Sequence, residues 1–254
     1  MPLIPIISVK NLVKSYGDFK AVKGISFEVF EGEIFGLLGP NGAGKSTTLE
    51  IIETLREKTS GEVMVNGLNI EESPEAIKKI IGVQLQTAGF YPNLNLTELM
   101  QLFIGLYQTT VDPMSLLKKV NLEDKAKAKY KELSGGQKQR FSIATTLINQ
   151  PKIIFLDEPT TGLDPQARRN LWELIKEIRA NGTTVIITTH YMDEAEVLCD
   201  RVAIIDSGEI VVINTPNELI DELVASGFEK VKEVKKANLE DVFIHKTGKA
   251  WREE

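Results

Sequence analysis

The sequence of 254 residues is long enough for one large domain or for one domain with a smaller lobe, and its 42% of hydrophobic residues can fill a core of that size. The 30 Lys and Arg residues against 36 Asp and Glu leave a formal net charge of -6, which excludes an overall basic field that would favour nucleic acid or anionic lipid. No stretch approaches the roughly 20 apolar residues of a membrane span, so we expect any membrane role to depend on a partner.

Strands dominate the predicted structure of the first third of the chain. Short runs of apolar and β-branched residues, separated by glycine, asparagine and charged turns, predict these strands at 6–13, 25–29, 34–38, 62–66 and 81–85. One helix interrupts them at about 45–55, because Leu49, Ile52 and Leu55 then share one face. A strand, a loop and a helix therefore follow one another from residue 34 onwards.

The pattern changes after Phe90, and residues from about 90 to 150 are predicted to be all-helical. One helix begins at Thr97, where leucine and phenylalanine residues begin to recur on one side. A second helix begins at Asp112 and Pro113, since a capping residue followed by proline is typical of a helix start.

Strands return after residue 150 and alternate with helices. A helix is predicted at 165–180 with Asp164 as its capping residue. The strands of this part are predicted at 153–156, 184–188, 202–205 and 209–213. This alternation favours an α/β fold in which a mainly parallel sheet is flanked by helices and the helical stretch is an inserted lobe.

A glycine-rich loop between the strand at 34–38 and the following helix fits the pattern G-x-x-x-x-G-K-[ST]. It consists of Gly39, Pro40, Asn41, Gly42, Ala43, Gly44, Lys45 and Ser46. Backbone N–H groups of such a loop point at a β-phosphate, Lys45 neutralises β and γ oxygens, Ser46 offers its hydroxyl to Mg²⁺, and Thr47 adds a phosphate contact. The alternative is an ordinary glycine-rich turn. GTPases, kinases and motors share this loop, so it predicts phosphate binding without naming the class.

Two adjacent acids, Asp157 and Glu158, follow the predicted strand at 153–156. We expect the ends of this strand and of the strand at 34–38 to lie side by side. Asp157 would then hold Mg²⁺, and Glu158 would polarise the water that attacks a γ-phosphate. A solvated turn or a helix cap would also carry acids here. Together with the glycine-rich loop, the two acids predict ATP hydrolysis with Mg²⁺.

The segment Leu-Ser-Gly-Gly-Gln at 133–137 resembles the signature of the ABC ATPases. Ser134 is predicted to cap a helix, while Gly135 and Gly136 leave backbone N–H groups open to an anion. A plain serine-capped helix is the alternative for the pentapeptide alone. The resemblance implies that these residues and Gln137 bind the γ-phosphate of an ATP held by a second ATPase subunit.

Four further residues match motifs of the same family in the same order. Gln86 resembles the glutamine that reaches Mg²⁺ and the attacking water, with Gln84 as a nearby competitor. Asp164 resembles an aspartate near the dimer seam, although helix capping alone would explain it. His190, expected at the end of the strand beside the two acids, resembles the histidine that hydrogen-bonds the γ-phosphate. Tyr16 resembles the aromatic residue that stacks on adenine, with a packed strand-edge tyrosine as the alternative.

The resemblance covers about residues 6–222 and implies a P-loop NTPase core with an N-terminal antiparallel β region and an inserted helical subdomain. The predicted domains are 1–225, a nucleotide-binding domain with the helical subdomain at about 90–150, and 226–254, a short C-terminal extension. The implied partners are transmembrane permease subunits and a second ATPase subunit in an ATP-bound homodimer, with no nucleic acid. The implied location is the cytoplasmic face of the membrane.

Two segments, 238–248 and 188–196, are similar to those of ATPases from bacterial drug, antibiotic and lipid-linked exporters of the daunorubicin-resistance type. They favour export over import, although an amphipathic surface helix would explain the first. A soluble ABC ATPase acting on nucleic acid or ribosomes is the alternative from another class. A groove lined by 86–95 is expected to receive a helix of the permease, with Phe90, Tyr91 and Pro92 either contacting that helix or packing inside the lobe.

Overall fold

The computed structural model describes residues 4–84 and 89–228. The chain forms two compact units, Met1–Glu218 and Leu219–Glu254. Within the described ranges, no helix combines the length and the apolar character needed to cross a membrane. The predicted C-terminal extension, 226–254, lies outside the described residues from 229 onwards.

The bounds of the elements are as follows. The strands are β1 (Pro5–Tyr16), β2 (Phe19–Phe30), β3 (Ile34–Leu38), β4 (Ser60–Val65), β5 (Leu68–Asn69), β6 (Ile81–Gln84), β7 (Ile153–Asp157), β8 (Thr184–Thr189), β9 (Arg201–Asp206) and β10 (Glu209–Asn214). The α-helices are α1 (Lys45–Ile52), α2 (Pro74–Lys78), α3 (Leu96–Tyr107), α4 (Pro113–Lys119), α5 (Gly135–Thr146), α6 (Pro165–Ala180), α7 (Met192–Leu198) and α8 (Pro216–Ala225).

An antiparallel sheet of four strands, in the order β2-β1-β4-β5, forms the N-terminal β region. Ile7 and Val9 of β1 are buried two residues apart, as alternation along a strand requires, and an irregularity in the pairing between Val9 and Leu12 allows Leu12 to be buried as well. The rings of Phe27 and Phe35 stack at a centroid distance of 5.4 Å and join this sheet to the second one. The predicted antiparallel region is therefore confirmed.

A second sheet of six strands has the order β10-β9-β3-β8-β7-β6. All neighbouring pairs are parallel except β9 and β10, which pair antiparallel at one edge. Every residue of β3 and β8 is buried, which explains why the apolar residues of these strands are consecutive instead of alternating with charged ones. The α/β class and the mainly parallel sheet are confirmed.

The predicted contact between the ends of β3 and β7 is wrong in one respect. β8 lies between them and pairs in parallel with both, so the two ends are next-nearest neighbours. Strand order depends on non-local pairing, which the local pattern of apolar residues does not encode. β8, which leads to His190, does lie beside β7, as predicted.

The stretch between β6 and β7 contains helices and short 3-10 turns, as predicted, apart from one isolated bridge between Asn95 and Lys129. α3 begins one residue earlier than predicted, because Asn95 and Glu98 form a capping box at its start. Asp112 caps α4 as predicted. The ring of Phe90 packs inside the lobe, 5.2 Å from that of Phe141, whereas Tyr91 is exposed.

Short elements account for most of the remaining differences. The strand β5 and the helices α2, α7 and α8 were not predicted, because two to ten residues carry too little periodicity. α1 ends at Ile52, short of the predicted 55, because Thr54 adopts a left-handed backbone with a φ of 64°. α6 spans the predicted residues, and Asp164 caps it.

The approach of β6 to α5 is close enough to require glycine at position 82. A Cβ on Gly82 would lie 2.2 Å from the carbonyl oxygen of Thr146, whereas a Cβ on Gly105 in α3 would meet nothing within 4 Å. We expect Gly82→Ala to lower the free energy of unfolding in urea by about 1–3 kcal/mol, the usual cost of overpacking. The control Gly105→Ala should raise it by about 0.5–1 kcal/mol. Equal stabilities of the two variants would contradict the close packing of β6 on α5.

Candidate active site

The glycine-rich loop connects β3 to α1 and folds around its own lysine. Gly44, the residue before α1, has a φ of 102°, and a Cβ there would lie 2.6 Å from the carbonyl oxygen of Ala21. The side chain of Lys45 is only 4% exposed. Its Nζ donates hydrogen bonds to the carbonyl oxygens of Gly39 at 2.9 Å and Pro40 at 3.1 Å. A buried ammonium and the N-terminus of α1 therefore lie together, which is an arrangement that favours an anion.

Asp157 lies at the end of β7 within hydrogen-bonding distance of the loop. Its Oδ1 accepts a hydrogen bond from the Ser46 hydroxyl at 3.2 Å and another from the Thr188 hydroxyl. A carboxylate and a hydroxyl in contact provide hard oxygen ligands, which fit Mg²⁺ when phosphate oxygens and water complete the octahedron. The fold thus brings together Ser46 and Asp157, two of the residues predicted to hold Mg²⁺.

Glu158 occupies the centre of the site. Its backbone has a φ of 46°, a left-handed conformation that is uncommon outside glycine, and its N–H donates to Thr188 Oγ1 at 3.0 Å. Its side chain is 8% exposed, with Oε1 3.6 Å from Lys45 Nζ and Oε2 3.2 Å from His190 Nδ1. The Thr161 hydroxyl also donates to Oε2 at 3.3 Å. A nearly buried carboxylate held in this way can accept a proton from a water molecule beside it.

A cavity of about 410 Å³ opens onto these groups, and we call it the loop cavity. Its lining residues are Tyr16, Phe19, Ala21, Asn41, Gly42, Gly44, Lys45, Ser46, Thr47 and Glu158. Tyr16 is 43% exposed, and its hydroxyl accepts a hydrogen bond from Arg56 Nη1 at 2.6 Å. This exposure argues against the alternative in which Tyr16 is a packed strand-edge residue. An aromatic face at the rim of a phosphate-binding loop can stack on a planar base.

The predicted signature residues lie at the start of α5, away from the loop cavity. The Ser134 hydroxyl accepts a hydrogen bond from the Gln137 N–H at 3.3 Å, and Gln137 Oε1 accepts one from the Ser134 N–H at 3.0 Å. This reciprocal capping box confirms the predicted cap and leaves the helix N-terminus exposed.

A separate cavity of about 230 Å³ lies at this helix start, and we call it the signature cavity. Its lining residues are Ser134, Gly136, Gln137, Arg140, Asp164, Gln166, Ala167 and Asn170. Asp164 Oδ1 accepts a hydrogen bond from the Ala167 N–H at 2.8 Å, which confirms that Asp164 caps α6. The loop cavity and the signature cavity have no lining residue in common.

Of the two glutamines considered for the contact with Mg²⁺ and the attacking water, only Gln84 lies within the described residues. Gln86 lies outside the described residues. Gln84, at the end of β6, is buried and lines another cavity of about 190 Å³, together with Phe90 and Phe103. It does not line the loop cavity.

Sequence reasoning missed three groups around the acids. Thr188 and Thr161 bind Asp157 and Glu158. Thr188 is one of three threonines in the buried strand β8, and a polar side chain in a buried strand was the available signal. Glu53, just after α1, is 2% exposed. Burial raises the pKa of its carboxyl to about 8, with Asp157 and then Glu50 adding repulsion between like charges. An acid at a helix end looks like an ordinary surface residue in the sequence.

The fold and the two cavities define a P-loop ATPase cassette, and comparison with known proteins agrees. A family model described as ABC transporter matches residues 22–161. The chain belongs to the family of ABC transporter ATP-binding proteins. It binds and hydrolyses ATP as a transporter subunit of that family, which confirms the prediction from its motifs.

Curated relatives cover most of the chain. It is 41% identical over 223 residues to the linearmycin resistance ATP-binding protein LnrL of Bacillus subtilis (strain 168), which covers 86% of this chain and 72% of that protein. It is 42% identical over 221 residues to the Nod factor export ATP-binding protein I of Ralstonia nicotianae, which covers 85% of this chain and 69% of that protein.

Solved structures of ATP-binding cassettes have the same fold. The dimeric post-hydrolysis state of the cassette MJ0796 bound to ADP and Pi matches with a TM-score of 0.74 at 31% identity, covering 83% of this chain and 98% of that one. The ADP conformation of the cassette MJ1267 matches with a TM-score of 0.77 at 27% identity, covering 87% and 95%.

The buried Glu53 should make stability depend on pH. The folded-state pKa of Glu53, about 8, lies above the ordinary value of 4.5. The stability that its protonated carboxyl contributes to the fold is therefore fully present below pH 4.5 and is lost as the pH rises through 8. We expect Glu53→Gln to be more stable than the wild type at pH 9, by on the order of 3 kcal/mol, and the difference to shrink towards pH 5. Urea unfolding of nucleotide-free protein in EDTA measures this. The exposed Glu57→Gln is the control, and the same pH profile for wild type and Glu53→Gln would refute the assignment.

Proposed function

We propose that this chain powers an ABC exporter as one half of a dimer that closes around two ATP molecules. The observation that carries the proposal is the separation of the loop cavity from the signature cavity on one chain. A single subunit offers each ATP only half of its predicted ligands, and a second copy would supply the other half. Export is supported by the names of the relatives in linearmycin resistance and Nod factor export.

In the proposed complex, the loop cavity holds the nucleotide. The loop from Gly39 to Ser46 wraps the β-phosphate with its N–H groups, and Thr47 adds a further contact. Lys45 exchanges its two carbonyl partners for β- and γ-phosphate oxygens, a stronger charge-assisted interaction. Tyr16 stacks on adenine, with its ring held by the hydrogen bond from Arg56.

The oxygen ligands at the end of β7 and in the glycine-rich loop fit Mg²⁺. Ser46, Asp157 and Gln86 would hold it, Asp157 through water, and the ion would neutralise charge on the β- and γ-phosphates. The hydroxyl of Thr188 keeps the Asp157 carboxylate oriented through its hydrogen bond to Oδ1. The Asp157 carboxylate therefore faces the loop, where Ser46 also contacts it.

Glu158 is the proposed general base. Its carboxylate orients the attacking water and accepts its proton as the oxygen attacks the γ-phosphorus, so that ADP and phosphate are the products. The left-handed backbone and the Thr188 contact hold the carboxylate before substrate arrives. His190, which lies 3.2 Å from Glu158 Oε2, would donate a hydrogen bond to the γ-phosphate. Ser134 to Gln137 of the second subunit bind the same phosphate, and Asp164 lies at the dimer seam.

The proposed partner is a transmembrane permease, which would hold this chain at the cytoplasmic face of the membrane. We assign the nucleotide-binding domain to 1–225 and a C-terminal extension to 226–254. The permease would contact the surface at 86–95, of which 89–95 are described. The exposed Tyr91 and Pro92 are available there, whereas Phe90 packs in the lobe.

The ring of Tyr16, more than its hydroxyl, should set the affinity for ATP. We expect Tyr16→Ala to raise KM about 5-fold, as expected for the loss of about 1 kcal/mol of stacking, with kcat little changed. Steady-state phosphate release measures both constants. Tyr16→Phe is the matched control and should stay within twofold of the wild type. An unchanged KM in Tyr16→Ala would refute the proposal that Tyr16 stacks on adenine.

Replacement of the base tests the whole mechanism. We expect Glu158→Gln to lose at least about 100-fold in kcat, because an amide cannot accept the proton. It should also form an ATP-dependent dimer, because closure no longer ends in hydrolysis. Phosphate release and gel filtration with excess Mg-ATP measure the two properties. The exposed Glu196→Gln is the control and should match the wild type. Wild-type turnover by Glu158→Gln would refute the base, and a monomeric, inactive variant would refute the homodimer.

A further inference from the structure

The orientation of the His190 ring is not set by a hydrogen bond. Its Nδ1 is buried and 3.2 Å from Glu158 Oε2, but the geometry is unsuitable, and it has no hydrogen-bond partner among the described residues. The side chain is 31% exposed, so burial alone does not hold it either. An imidazole that donates a hydrogen bond to a phosphate needs a fixed ring plane. Packing against neighbouring side chains is the remaining interaction that can fix the plane of the His190 ring.

The nearest aromatic neighbour of His190 is Tyr191. The two ring centroids are 4.1 Å apart, with an interplanar angle of 39°. The guanidinium carbon of Arg168 lies 4.5 Å from the centroid of the Tyr191 ring, within the range of a cation–π contact. Tyr191 therefore contacts both Arg168 on α6 and His190 at the active site. We call these three side chains the Arg168 stack.

Arg168 is itself held in place. Its Nη1 lies 3.4 Å from Asp193 Oδ2, and its Nε is buried with no hydrogen-bond partner among the described residues. One turn further along α6, Trp172 Nε1 donates a hydrogen bond to the buried Glu194 Oε1 at 3.0 Å. These two contacts fix the start of α7 against α6, and Tyr191 directly precedes α7.

The Arg168 stack lies next to residues that line the two cavities, although none of its three side chains lines either one. α6 begins after Asp164, and both Asp164 and Ala167 line the signature cavity. At its other end, the stack reaches His190 beside Glu158, which lines the loop cavity. A movement of the first turn of α6 would therefore be transmitted to His190 through one guanidinium and one phenol ring.

We propose that Arg168 is a positioning residue for hydrolysis, which holds the His190 imidazole in its working orientation through Tyr191. The proposal rests on the function proposed for His190. Loss of Arg168 releases the His190 ring and therefore slows the chemical step. Because Arg168 contacts no reacting atom, its loss leaves ATP binding intact. A purely structural Arg168 would instead affect stability through Asp193 and leave kcat unchanged in the folded fraction.

The matched pair Arg168→Ala and Arg169→Ala separates these outcomes, since each removes one positive charge from adjacent positions of α6 and Arg169 is exposed. We expect Arg168→Ala to lower kcat about 5- to 30-fold with KM within about twofold, and Arg169→Ala to match the wild type. Tyr191→Phe, which keeps the ring, should retain wild-type kcat, whereas Tyr191→Leu should behave like Arg168→Ala. Equal kcat values for Arg168→Ala and Arg169→Ala would overturn the proposal.

A double-mutant cycle tests the route through His190. In a His190→Ala background, Arg168→Ala should cause no further loss of single-turnover rate, because the group that it positions is gone. The same fold loss in both backgrounds would overturn the proposal. Wild-type activity of His190→Ala would instead refute the function proposed for His190. Loss of activity in His190→Ala with full activity in Arg168→Ala would refute only the positioning role.

The ring itself offers a readout that does not depend on turnover. The chain contains two histidines, His190 and His245, so His245→Gln assigns their ring proton signals by NMR. We expect the His190 ring signals to move in Arg168→Ala and Tyr191→Leu, because the stacked geometry is lost, and to stay in place in Arg169→Ala. Unmoved signals in Arg168→Ala would overturn the proposal, even if that variant lost activity through reduced stability.

Discussion

The parallel pairing of β8 with both β3 and β7 is the constraint on which the rest of the structure depends. Each of these strands leads to one part of the site at its carboxyl end: β3 to the loop with Lys45, β7 to Asp157 and Glu158, and β8 to His190. Thr188 in β8 donates to the Asp157 carboxylate and accepts from the Glu158 N–H. This one residue therefore fixes both acids to β8, the strand beside β3 and its loop.

Charge in this confined space explains why the site favours a cation together with an anionic ligand. Lys45 faces Glu158 and the loop carbonyls, while the Asp157 carboxylate is bound by two hydroxyls. Glu53 adds a third acid behind them, and its raised pKa reflects the cost of another negative charge in a buried position. A divalent cation beside Asp157 would lower this repulsion, and phosphates would balance Lys45 and the α1 N-terminus.

α6 is the helix that borders the signature cavity at its first turn and also carries Arg168. Its first turn is capped by Asp164 at the signature cavity, and its buried side packs on the sheet and on α7. The same helix carries Arg168, which contacts Tyr191 next to His190. One rigid element thus touches the surface proposed for the second subunit and the residues proposed for hydrolysis, which is the kind of contiguous link that coupling between sites requires.

The sequence by itself determined the features that depend on neighbours along the chain. The glycine-rich loop, the caps at Ser134 and Asp164, and the acids after β7 all rest on local backbone chemistry, and each was found where its pattern predicted. Only the tertiary structure decided the position of β8 between β3 and β7, the burial of Glu53, and the contact of Arg168 with Tyr191. These features join residues that are far apart in sequence, and pairing and burial at such distances leave no periodic signal in the chain.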